Sequence, residues 1–224
     1  MFKTELHCHS IDASPCSRLS ASELVDIYIK AGYDTVVLTN HFSHFVYDHY
    51  KCQSVREYAE IFISAYEKMK ESAGDRLTVL MGAEVRVRSL PNDFLIIGDT
   101  AEFLKSTENI FDMTVEELHG ECKKRGWLLV QAHPFRNWIT VVNPAFLDGI
   151  EVYNGHIGHE ERNFIAEQWA NEYGLIKTSG TDMHYDYVPA SGGILTEEKI
   201  TDMKMLADVL RSGRYELLKS DKVR

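Results

Sequence analysis

Imidazole and carboxylate side chains recur in five short stretches of the 224-residue chain: His7-Cys8-His9, Thr39-Asn40-His41, Met81-Gly82-Ala83-Glu84, Ala132-His133-Pro134 and Gly180-Thr181-Asp182-Met183-His184. These are the donors that borderline divalent cations such as zinc, manganese and iron take from proteins. Clustered cations of this kind lower the pKa of bound water towards about 7 and clamp the attacking and leaving oxygens of a phosphate ester. Such chemistry requires residues spread over about 180 positions to meet within a few ångströms.

The intervening sequence supplies elements that could bring them together. Ser20-Ala21-Ser22-Glu23, Ser54-Val55-Arg56-Glu57 and Thr114-Val115-Glu116-Glu117 match the capping box, and each precedes apolar residues at helical spacing. Further helices are expected over 160–173 and 202–210. Runs rich in Val, Ile and Leu at 4–7, 35–39, 77–81, 94–97, 127–131, 149–153, 175–179 and 215–218 read as strands. Near-continuous apolar runs separated by helices predict parallel strands buried on both faces. A metal-ligand side chain follows most of these runs, and in a parallel barrel all such ends converge on one face. With no internal repeat and no linker rich in Pro, Gly and Ser, a single domain over 1–224 is expected, with loop from Ser10 onward.

The ordered set His7-Cys8-His9, Thr39-Asn40-His41, Glu84, His133-Pro134 and Asp182-Met183-His184 resembles the PHP domain, the polymerase and histidinol phosphatase family of metal-dependent phosphoesterases. The resemblance implies a distorted TIM-like (β/α)7 barrel, α/β in class, with two or three divalent metal ions. It implies that His7, His9, Glu84 and Asp182 hold a first metal, that Glu84 and His133 hold a second, and that His41 and His184 belong to a third. Glu84, Asp182, His184 and Arg136 form the expected catalytic set. Arg136 and Arg86 are candidates to present guanidinium forks to phosphate oxygens, and Asn154, at a strand end, is a candidate to face the substrate. Three positions depart from the family pattern. Asn40 stands where many members have Asp. The loop after His9 offers Asp12 or Cys16 in place of an Asp or His ligand. No histidine follows the 94–97 strand, which leaves Asp99 as a substitute or as a helix cap.

Bulk properties bound the partners. A net charge of −10 argues against a surface that coats long nucleic-acid duplexes, although metals at the site would leave a short oligonucleotide end acceptable. No segment reads as a secretory leader or membrane span, and Cys8, Cys16, Cys52 and Cys122 form no CxxC pair, so a cytoplasmic, disulfide-free protein is expected. The remaining histidines have blander readings: His119 on a solvated helix face, His156 and His159 at a helix start. Phe42, His44, Phe45, Tyr47, His49 and Tyr50 form an aromatic stretch suited to core packing or to a lid. The expected substrate is a small phosphorylated metabolite, as for a histidinol-phosphatase-like enzyme, or a nucleotide. The alternatives are a metal hydrolase of the amidohydrolase type and a non-catalytic, metal-binding regulatory module.

Overall fold

The computed structural model describes residues 1–220. Eleven strands are present among them: β1 (Phe2–Cys8), β2 (Thr35–Leu38), β3 (His41–Ser43), β4 (Thr78–Met81), β5 (Ala83–Arg86), β6 (Phe94–Ile97), β7 (Leu128–Gln131), β8 (Gly149–Asn154), β9 (Ile176–Gly180), β10 (Ile194–Thr196) and β11 (Glu216–Leu217). Seven α-helices accompany them: α1 (Ala21–Lys30), α2 (His44–Tyr50), α3 (Val55–Ala73), α4 (Ala101–Ser106), α5 (Val115–Lys124), α6 (Asn163–Tyr173) and α7 (Met203–Ser212).

The helix starts follow their sequence signals. Complete capping boxes form at Ser20 with Glu23 and at Thr114 with Glu117. At Ser54 the hydroxyl caps Glu57 N, but the Glu57 carboxylate reaches one residue further back, to Gln53 N at 2.7 Å. No helix among the described residues is long and apolar enough to cross a membrane.

The strands form two sheets, β11-β10-β1-β2-β4 and β3-β5-β6-β7-β8-β9. Backbone bonds link them at two seams. On one side Gly82 N donates to Leu38 O at 3.0 Å and Glu84 N to Asn40 O at 3.1 Å, so β2 runs on into β3 and β4 into β5. On the other, Asp182 N donates to His7 O at 2.8 Å and His9 N to Met183 O at 3.1 Å, which brings the segment after β9 against β1. The result is the distorted TIM-like α/β arrangement. The ladders β1–β2, β2–β4, β3–β5, β7–β8 and β8–β9 are parallel.

Two strands depart from the all-parallel expectation: β10 is antiparallel to β1, and β6 lies reversed within the second sheet. β6 is antiparallel to both β5 and β7. Only seven residues, 87–93, separate β5 from β6. That is too short for the crossover of a dozen or more residues that a parallel pair needs, and Pro91-Asn92-Asp93 supplies turn chemistry instead. β6 therefore points its amino end at the face where β5, β7, β8 and β9 present their carboxyl ends.

Three apolar clusters hold the layers together. The largest packs α3, α4 and α5 against β5, β6 and β8 through Phe42, Tyr58, Phe62, Phe94, Ile96, Phe103 and Leu118. Phe42 stacks on Tyr58 at 4.5 Å, which anchors the start of the 42–50 stretch in the core, while Phe45 in α2 is 60 % exposed. A second cluster seats α1 on β1 and β2, and a third seats α7 beneath Leu6, Leu95, Leu128 and Val130.

Candidate metal centre

Strand ends deliver the donors. His7 lies in β1 and His9 follows it; as residues i and i+2 they point to the same side, while Cys8 between them turns away towards Val37 O. His41 opens β3, Glu84 is the second residue of β5, His133 follows β7, and Asp182 and His184 follow β9. His133 and Asp182 both hold left-handed backbone, at φ +30° and +52°. Such strain costs on the order of 1–3 kcal/mol per residue and gathers at functional sites.

Glu84 lies at the middle. Its Oε1 is 3.1 Å from His133 Nε2 and 3.3 Å from His7 Nε2; its Oε2 is 2.5 Å from His41 Nδ1 and 3.5 Å from His9 Nε2. Asp182 Oδ1 is 3.2 Å from His9 Nε2, 3.5 Å from His7 Nε2 and 3.4 Å from His184 Nδ1. Four donor triplets have atoms within 4.8 Å of one another: His7-Glu84-His133, His7-His9-Asp182, His9-His41-His184 and His41-Glu84-Asp93.

These residues fit divalent cations. His7 Nε2, both ring nitrogens of His9 and His133 Nδ1 are buried without a hydrogen-bond partner. Each buried polar atom left so costs about 1–3 kcal/mol, which coordination would recover. The charge states agree. Burial would raise Glu84, but the charges on His41 and His7 hold its carboxyl well below the ordinary range. Asp182 is likewise held down against burial, by His7 and Arg136. Burial opposes protonation of His7, yet Asp182, Glu151 and Glu84 push it well above the ordinary imidazole range. Protons thus occupy places that cations would take on binding.

Two buried carboxylates that the sequence reading passed over support the donors. Glu151, in β8, accepts from His7 Nδ1 at 3.0 Å, His133 N at 2.9 Å and Asn154 Nδ2 at 2.8 Å. The first bond leaves His7 Nε2 as the ligand atom. Glu5 accepts from the amides of Leu6, His7 and Thr181 and from the Thr181 hydroxyl, tying β1 to the Gly180-Thr181-Asp182 turn. A charged residue inside an apolar strand was the available signal, since burial of an unpaired carboxylate is costly. Replacing Glu151 by Gln is expected to weaken cation binding by about 10–100-fold, measured by titration of the stripped protein. Gly180 shows how tightly this layer is packed: a Cβ there would lie 2.4 Å from His7 Cβ and 2.6 Å from Glu151 Oε1. Gly180→Ala is therefore expected to destabilise the protein by about 1–3 kcal/mol, read from chemical denaturation.

Several sequence candidates fall elsewhere. Asp99 is exposed at the far end of the sheet, because β6 runs backwards; Asp93 at its other end takes the place by the centre, 3.8 Å from His133 Nε2. Asp12 caps α1, accepting from Ala21 N at 3.0 Å and from Lys68 Nζ at 2.9 Å, and is in none of the donor triplets. Asn154 does not offer its side chain to a substrate. Its amide donates to Glu151 and to Asp182 Oδ2 at 3.2 Å, and its carbonyl accepts from His156 N at 3.0 Å. Neither guanidinium is a free fork. Arg86 is bonded through Nε and Nη2 to Asp93, and Arg136 to both Glu161 oxygens at 3.0 Å through Nε and to Asp182 Oδ2 at 2.6 Å through Nη2. Asn40 accepts from Ser10 N at 2.8 Å and Ser14 Oγ at 3.0 Å, so it holds the following loop rather than an imidazole. His156 and His159 precede α6 in a loop, with the His156 ring 5.5 Å from that of His184, and His119 is half-buried beside Asp148 at 3.4 Å.

Cys16 is brought to the rim. Burial works to raise its thiol, but the neighbouring His184 and His41 imidazoles bring it down to about 6.

The family model of the PHP domain matches residues 5–215. The chain belongs to the PHP domain family. No curated protein matches the sequence significantly. Solved structures share the fold. A two-domain protein from Bacteroides vulgatus, described as containing a predicted PHP-like metal-dependent phosphoesterase, superposes with a TM-score of 0.68 at 18 % identity, over 97 % of this chain and 64 % of that one. This PHP chain thus spans less than two thirds of that protein. PsfC from Pseudomonas syringae gives 0.70 at 15 % identity, over 99 % and 92 %. An amidohydrolase from Chromobacterium violaceum, solved with sulfate and no metal, gives 0.53 at 15 % identity, over 98 % and 99 %.

Proposed function

We propose that this PHP protein is a phosphoesterase that holds two or three divalent cations, zinc, manganese or iron, and hydrolyses a small phosphorylated metabolite, in the manner of a histidinol-phosphatase-like enzyme, or a nucleotide. The observation that carries the reading is Glu84, whose two buried oxygens are shared among His7, His133, His41 and His9. A carboxylate so placed is suited to bridge two cations. The cations supply water activation at neutral pH and neutralise charge on the phosphate oxygens.

The chain's own residues do the positioning. Glu151 fixes the His7 ring and the His133 backbone, so two ligands from different strands move as one unit. Arg136 lies against Asp182 and Glu161, which sets the Asp182 oxygens and adds positive charge beside the phosphate's place. His184 donates from Nδ1 to Asp182 O at 3.0 Å, which leaves Nε2 as its ligand atom. The floor of His7, His9 and Glu84 is closed to solvent, while the His41 side chain is 20 % exposed and that of His184 9 %. Substrate therefore enters from the His41 and His184 side, with bulk water excluded beneath.

Hydrolysis of 4-nitrophenyl phosphate with added manganese or zinc, lost in Glu84→Ala and His133→Ala, tests the reading. Folded, metal-loaded protein that hydrolyses no monoester, diester or nucleotide would overturn it. Cleavage of an amide in place of an ester would favour the amidohydrolase reading.

A further inference from the structure

The two guanidiniums expected to grip a phosphate are tied to carboxylates, Arg86 to Asp93 and Arg136 to Glu161 and Asp182, so neither is free to take up a substrate's oxygens. The loop after β8 carries a donor that is free. That loop hangs from the centre itself. The Asn154 amide donates to Asp182 Oδ2 at 3.2 Å, while its side-chain carbonyl accepts from His156 N at 3.0 Å. Gly155 N donates to Gly180 O at 2.9 Å. The backbone at His156 is therefore fixed relative to Asp182.

The side chain is fixed as well. The His156 ring lies edge-on to that of His184 at 5.5 Å, with the His159 ring at 4.9 Å and the Tyr185 ring at 6.3 Å, and the residue is 8 % exposed. Gly158 N donates to His156 Nδ1 at 2.9 Å, and a Cβ on Gly158 would lie 2.7 Å from His156 Cε1, so the loop closes on this ring because glycine stands there. That bond decides the tautomer. Nδ1 presents its lone pair to Gly158 N, so the proton of the neutral ring is on Nε2, and an imidazolium would set two N–H groups against each other. With its proton there, Nε2 has no lone pair to offer a cation. It is a donor, and it has no partner among the described residues.

We propose that His156 is a substrate-binding residue whose neutral Nε2–H donates to a phosphoryl oxygen beside His184. This rests on the reading of the site as a phosphoesterase centre and adds to it a hydrogen-bond donor that is not a metal ligand. A donor already fixed in place stabilises charge that grows on the phosphoryl oxygens without reorganising as the reaction proceeds. Asn154, expected to face the substrate, instead carries the residue that does.

The test uses the full chain loaded with zinc. H156A and H156F are expected to keep the parent's zinc content, to bind inorganic phosphate about tenfold or more weakly by calorimetry, and to lose about as much in kcat/KM on 4-nitrophenyl phosphate. H156Q, whose amide N–H can occupy the place of Nε2–H, is expected to recover part of both. In long-range proton–nitrogen NMR spectra of the parent, the His156 Nε2 signal is expected to be of the protonated type and to shift when phosphate is added. A smaller loss of phosphate binding in H156A and H156F with zinc retained would overturn the proposal, and so would loss of zinc in both. If the loaded parent binds phosphate in a His156-dependent way but hydrolyses no ester, the phosphoesterase reading falls and the phosphate contact stands. If it neither binds phosphate nor hydrolyses an ester, both fall. Should the variants fail to fold by circular dichroism, the Nε2 signal of the parent decides alone: a shift with phosphate supports the contact and no shift overturns it.

Discussion

A Glu84→Gln variant is expected to lose about a thousandfold or more in kcat on 4-nitrophenyl phosphate and to retain fewer cations per chain. Gln keeps the shape of Glu, so the loss is one of charge and coordination rather than of a cavity. The two Glu84 oxygens reach His133 and His7 on one side and His41 and His9 on the other, so neutralising them removes the counter-charge to the whole floor of the site. Several kcal/mol of charge stabilisation supplied by a metal corresponds to roughly a thousandfold in rate at about 1.4 kcal/mol per tenfold. Glu84→Asp keeps the charge but shortens the reach by one methylene, and should recover part of the cation content and little of the rate. Glu84→Gln with more than a tenth of the parental activity would remove Glu84 from its bridging role.

Exhaustive chelation is expected to lower the thermal midpoint by about 10 °C or more, with recovery on adding back zinc or manganese. A site filled at a thousand times its dissociation constant stabilises the folded state by about 4 kcal/mol. In a chain of this length each kcal/mol moves the midpoint by about 2–4 °C. The deficit should widen as pH rises. His7 and His41 are pushed above the ordinary imidazole range, against burial, by Asp182 and Glu84 respectively among other charges. Their contribution to the stripped protein is complete below the unfolded value of about 6.5 and is lost as pH rises through the raised folded values. Above that range no proton stands in for the missing cation. Scanning calorimetry of stripped and loaded protein at pH 6 and pH 8.5 measures both effects; equal midpoints at the two pH values would exclude this linkage.

Much of the centre was legible in sequence because the information is local. Each donor sits within four residues of a strand end, and a strand end is marked by where an apolar run stops. His7, His9, His41, Glu84, His133, Asp182 and His184 could therefore be placed together once the strands were taken to converge. The helix starts were legible for the same reason, since a capping box is a contact between residues three apart.

Strand direction is not local. Phe94-Leu95-Ile96-Ile97 has the same apolar pattern read either way, and only pairing with β5 and β7 sets its sense. That one reversal moved Asp99 to the far end and placed Asp93 beside His133 and Arg86. A signal was present in the short 87–93 connection, but it is visible only once Ala83–Arg86 is seen to be a strand distinct from β4.

Partner choice is non-local as well. Whether Arg136 and Arg86 face a ligand or a carboxylate depends on where Glu161, Asp182 and Asp93 fall in space. Glu5 and Glu151 are two acids among 34 in composition, and burial against the amides and imidazole they hold gives them their role. The sequence by itself determined the kinds of donor, their order and the elements that carry them, because periodicity and capping act over three or four residues. The tertiary structure decided which end of each strand meets the site and which charges pair there, because both depend on contacts between residues far apart in the chain.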